Sequence, residues 1–233
     1  MKMKYGMIAA AVAVALSAQV YAADSDVTLS GAVEVEFSSV DDKINAEKST
    51  DIGVATAALA VDAKVNSNTS VHLAVLYEEG DGAGLDEATM TLHLNEMNTL
   101  TAGRMYVPFG SYDSNMVSDP LTLELGETSE TAVMLSVGER NVTASLYAFN
   151  GDADEATAND DEDISYGLNV SYETDPMTFG VSYISNIADT DSLQTPGNPG
   201  SIKSAVAGMG VNFAMNMNNV TFILEHVAAM DAF

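Results

Sequence analysis

The chain has 233 residues, with 34 acidic against 8 basic side chains, a net charge of −26 and no cysteine. So few cations exclude a nucleic-acid-binding protein and disfavour an anion-selective pore. The missing cysteines exclude thiol chemistry, and an exported chain of this kind draws no stability from disulfides.

The N-terminus carries the one continuous apolar run. Lys2 and Lys4 precede the stretch 8–16, and Ser17-Ala18-Gln19-Val20-Tyr21-Ala22 follows it. A basic start, a short apolar middle and a small-residue end predict a secretory signal over residues 1–22. The stretch is too short for a spanning helix; a retained anchor is the alternative. Residues 23–233 are then the exported domain.

From Val27 onward the chain alternates apolar and polar residues, the period of a strand with one oily and one wet face. Eleven segments do so: 27–37, 52–65, 71–78, 87–94, 99–107, 131–138, 142–149, 164–173, 177–185, 205–216 and 220–230. The apolar phase of the second slips between Val54 and Leu59, as a bulge would cause. The gaps between segments alternate short and long. The short ones, 66–70, 95–98, 139–141, 174–176 and 217–219, are rich in Asn, Asp and Pro, as tight turns require. The long ones are 38–51, 79–86, 108–130, 150–163 and 186–204, and they hold most of the acids.

This rhythm predicts an all-β fold, an antiparallel transmembrane β-barrel of the outer-membrane type with short periplasmic turns and long outer loops. Phe37, Tyr77, Tyr106 and Tyr183 each close an outward-running segment in phase with its apolar face, where an aromatic girdle at the outer interface belongs. Eleven strands is an odd number for such a barrel. Either a strand has been missed or split, or the barrel is incomplete.

The stretch 102–128, AGRMYVPFGSYDSNMVSDPLTLELGET, is the most distinctive. Pro108 and Gly110 end a strand. The loop that follows mixes Tyr112, Met116, Val117, Leu121, Leu123 and Leu125 with acids, more apolar content than a solvated loop needs. It is predicted to fold into the pore, with Arg104, Asp113, Asp119, Glu124 and Glu127 at a constriction. A lid over the barrel mouth, or an extra short strand at 121–125, are the alternatives. Arg104 reads either as a lone attraction for anionic cargo or as paired to a neighbouring carboxylate.

The loop 150–163 gathers hard oxygens. Asp152, Asp154, Asp160 and Asp161 could take Ca²⁺, although the spacing of a known calcium loop is absent and solvation alone accounts for such acids. No other cofactor is expected. His72, His93 and His226 share no catalytic motif, and the chain is not read as an enzyme.

Three stretches, YEEGDGAGLDEATMTL at 77–92, YVPFG with NMVSDPLTLELGET at 106–128, and YAFNGD at 147–152, resemble the LbtU-type siderophore porin family of Gram-negative outer membranes. NIADTDSL at 186–193 adds to the likeness. The resemblance implies a barrel that imports ferric siderophores passively, without an energy-coupling plug. Outer-membrane lipid and lipopolysaccharide are the implied surroundings, and iron chelates the implied cargo. Members are longer than this chain, which fits an incomplete barrel. A general cation-preferring porin and a non-conducting structural or adhesive barrel are the rival readings.

Overall fold

The computed structural model describes residues 8–15, 27–42, 47–114, 120–151, 153, 164–193 and 205–232. Among them, twelve strands follow one another in hydrogen-bonded order along a single sheet, each joined to its predecessor in the chain. They are β1 (Ile8–Ala15), β2 (Val27–Asp42), β3 (Glu47–Asn66), β4 (Thr69–Glu78), β5 (Gly82–His93), β6 (Asn98–Tyr106), β7 (Ser129–Glu139), β8 (Val142–Asn150), β9 (Ile164–Thr174), β10 (Met177–Ile184), β11 (Gly208–Met217) and β12 (Val220–Ala229). One short helix, α1 (Leu121–Gly126), and a 3₁₀ turn at Ile187–Asp189 interrupt the pattern. The pairs with a defined register are all antiparallel.

Eleven of these strands lie where the alternation puts them. The twelfth, β1, falls within the segment read as an export signal and pairs with β2, Ile8 opposite Ser39. Cleavage after Ala22 would remove it.

The chain divides into two compact units, Met1–Val65 with Val71–Asp86, and Asn66–Ser70 with Glu87–Phe233. In the first, Glu34 pairs with Thr56 and Val35 with Val54, so Ala55 is the extra residue of a bulge. The phase slip in the sequence fell on this position. The bulge is used: the Ala55 carbonyl accepts from the Glu79 N–H at 2.9 Å. Here the sequence also misled. The gap 79–86, expected as a long loop, is a tight turn at 79–81, because β5 begins at Gly82 rather than near Glu87.

In the second unit, two-residue turns join β7 to β8, β9 to β10 and β11 to β12. Arg140 and Asn218 take φ of 55° in two of them, the left-handed backbone that such hairpins demand. The strands have two unlike faces. One presents Leu100, Val133, Leu135, Leu146, Leu168, Val181 and Phe222, all exposed. The other presents Thr101, Ser136, Ser145, Ser165, Gly167, Gly180, Ser182 and Gly210, small and partly or fully buried. An exposed apolar face and a small, polar opposite face invert the soluble pattern and match a sheet wrapped by lipid. The core of this unit lies on the small-residue face. There Met105, Val107, Phe109, Ala132, Tyr147, Phe149, Ile184 and Ile187 form one buried cluster.

Candidate functional site

The chain leaves β6 at Tyr106 and crosses the small-residue face toward β10, β11 and β12. The Val107 N–H donates to the Thr128 carbonyl at 3.0 Å, which closes the base of the excursion. Phe109 is 0% exposed and enters the core. The Gly110 N–H then donates to Ser182 Oγ on β10 at 3.0 Å. One carboxylate on β12, Glu225, takes the next contacts. Its Oε1 accepts from the Ser111 N–H at 2.7 Å, its Oε2 from Thr122 Oγ1 at 2.8 Å, and both oxygens from the Tyr112 N–H.

The strands under this segment are stripped of side chains where it lies. A Cβ at Gly208 would stand 2.9 Å from both Phe109 Cζ and Ile184 Cγ2, and a Cβ at Gly210 would collide with Ser182 Oγ. Glycine in a strand interior marks such a close approach. The segment also locks on itself. The Tyr112 ring lies against Gly110 and Gly126, where any Cβ would strike it, and its hydroxyl donates to the Phe109 carbonyl. Burial pushes the Tyr112 phenol far above its ordinary value, and the negative charge of Glu225 adds to the rise. It is therefore a neutral donor at any working pH. Helix α1 follows Pro120 and settles with Thr122 toward Glu225 and Gly126 buried under Tyr112.

A second segment supports the first. The Asn186 side chain accepts from the N–H groups of Ala188 and Val206, which holds Ile187 in the core. Asp189 is buried, and accepts from the Ser165 hydroxyl and from the Ala153 N–H at 3.0 Å. Asp191 accepts from the Ser129 N–H, while its own N–H donates to the Glu127 carbonyl at 2.9 Å. Burial raises the Asp191 carboxyl above its ordinary range; the Ser129 N–H and the charge of Arg104 pull it partly back.

The predicted site residues separate. Asp113 is on the inserted segment and accepts from Ser111 Oγ at 2.8 Å. Glu124 is exposed on α1, and Glu127 follows the helix. Arg104 sits opposite Ala88 and Thr131 and shares its face with Leu100, Ala102 and Tyr106, the apolar face. A long guanidinium stem tolerates an apolar face near its rim by reaching for polar groups, and Asp191 is one such group. Phe37, Tyr77 and Tyr106 are exposed, and the Tyr183 ring lies 6.3 Å from that of Tyr166. Asp119, Asp152, Asp154, Asp160 and Asp161 lie outside the described residues. Among the described residues no three His, Asp or Glu side chains gather to hold a metal. The extra short strand at 121–125, one of the alternatives, is instead a helix.

Sequence reasoning missed Glu225, Ser182 and the glycine track. The signal was present. Gly167, Gly180, Gly208 and Gly210 fall in strands, all on the wet face, and Glu225 interrupts the apolar run from Phe222 to Val227.

Comparison with known proteins agrees with this geometry. The sequence model of a family described as Gram-negative porin matches residues 9–227. A UPF0422 protein of Coxiella burnetii is 31% identical over 141 residues, 56% of this chain and 30% of the relative. UPF0422 proteins of Legionella pneumophila strains Lens and Philadelphia 1 are 27% and 28% identical, each over 63% of this chain and 31% of their own length. The chain thus matches about a third of the length of these relatives.

Proposed function

Because the chain belongs to the Gram-negative porin family, we propose that it forms a passive pore of the outer membrane, with the small-residue face as the wall of its lumen. The observation that carries this reading is the pair of stretches 107–114 and 120–126. They lie across that wall and are fastened to it by Ser182 and Glu225, a position from which they narrow the path. Catalysis plays no part in this reading, since a pore acts by its width and its lining.

The lining argues for the cargo. Glu225 lies on the small-residue face of the second unit, with Asp113 on the stretch it holds; in the first unit Glu34 and Asp62 share one polar face of β2 and β3 with Thr28 and Thr56. Carboxylates in a confined lumen attract cations and repel anions. Cationic and neutral solutes are therefore the preferred cargo. Ferric siderophores, the cargo implied by the resemblance to LbtU-type porins, fit when the iron complex is neutral or positive.

Purified protein in planar bilayers tests the reading. Salt-dependent conductance that changes on adding a neutral ferric siderophore supports the specific version. Conductance indifferent to the chelate leaves a general cation-preferring pore. A protein that never conducts is a structural barrel, and the proposal fails.

A further inference from the structure

Helix α1 presents a feature that neither its docking nor the general pore explains. Thr122 and Gly126, four residues apart, turn toward β12 and Tyr112. Residues spaced three and four apart share a helix face. Leu121, Glu124 and Leu125 therefore form one contiguous arc on the rest of the helix surface. Leu121 is 76% exposed and Leu125 41%, and the Glu124 side chain is exposed with them. Two leucines on a helix tied to β12 through Thr122 and packed under Tyr112 at Gly126 are costly to leave in water.

We infer that this arc, Leu121 and Leu125 beside Glu124, is a recognition edge for small organic cations with an apolar body. The inference rests on the pore reading above. The leucines offer contact area to an apolar group, and Glu124 offers the opposite charge within one helical turn. The chain's charge of −26 argues against an anionic or acidic occupant. An uncharged apolar solute would forgo the carboxylate, and an inorganic cation would forgo the leucines. A solute with both parts gains from each.

Three probes separate these contributions in planar bilayers carrying a K⁺ current: benzyltrimethylammonium, tetramethylammonium as the charge without the body, and benzyl alcohol as the body without the charge. The readout is the concentration of each that halves the current, compared within one variant so that basal conductance cancels. In the wild type, benzyltrimethylammonium should block at a concentration about tenfold below either partial probe, the discrimination expected from one modest apolar contact. The paired variant Leu121→Ser/Leu125→Ser should bring it level with tetramethylammonium, and Glu124→Gln should bring it level with benzyl alcohol. Equal block by all three probes, or a preference that survives both variants, overturns the inference while leaving the pore intact. The second result is also the one expected if another chain segment covers the leucines. A wild type without any K⁺ current overturns the pore and this edge together.

Discussion

Leu168 gives the sharpest test of which face meets lipid. It is the fifth of the eleven residues of β9, 44% exposed, with Leu146 opposite it on β8 and Tyr183 opposite it on β10. Arginine near the middle of a lipid-facing strand costs about 2–4 kcal/mol, which is roughly 30- to 1000-fold in a folding equilibrium. Three positions on, Ser171 lies on the other face, beside Thr143 and Gly180. An arginine there reaches the lumen and pays little. The assay is folding into lipid vesicles, read as the fraction of chain that migrates as a compact band when unheated. Leu168→Arg should lose most of that band, and Ser171→Arg should keep it. Equal behaviour of the two variants would refute the assignment of faces. Loss by Ser171→Arg alone would reverse it.

Further outcomes follow from the inserted segment. Glu225→Ala removes the acceptor of the Ser111 and Tyr112 N–H groups and of the Thr122 hydroxyl. At about 1 kcal/mol for each partly exposed bond, the docked state weakens by about 3 kcal/mol; conductance should become larger and noisier, with Glu225→Gln intermediate. Gly208→Val forces a side chain against Phe109 and Ile184, an overpacking cost of about 1–3 kcal/mol, and should lower the melting temperature measured by circular dichroism. For Asp191 the folded carboxyl is raised above its ordinary 3.8 by burial. Its contribution to stability is then complete below that value and is lost as pH rises through the higher folded value. Asp191→Asn should flatten this part of the pH–stability curve, and an unchanged curve would show that the group does not titrate there.

Much of this molecule can be read from period two alone. The strands fall on their segments because lipid on one side and small residues on the other enforce strict alternation, and the Ala55 bulge showed as a slipped phase. What escaped the reading had physical causes. Charged and glycine-rich 79–86 looks like a loop because its acids mask a tight hairpin, in which Gly80 takes φ of 104°. The run LTLEL at 121–125 alternates like a strand, yet it folds as a helix after Pro120, where it closes hydrogen bonds of its own, from the Leu123 N–H to the Pro120 carbonyl and from the Glu127 N–H to the Leu123 carbonyl. Arg104 has the parity of Leu100 and Tyr106. Its charge, not its position, suggested the lumen. Glu225 was invisible as a clamp because its partners are backbone N–H groups more than a hundred residues away.

An ion gradient across a bilayer tests the central claim, a passive and acid-lined pore, most directly. With purified protein inserted and KCl tenfold more concentrated on one side, the account predicts stable conductance and a reversal potential of the sign set by K⁺ passing in preference to Cl⁻. A reversal potential of the opposite sign, or a membrane that stays silent with folded protein inserted, would contradict it.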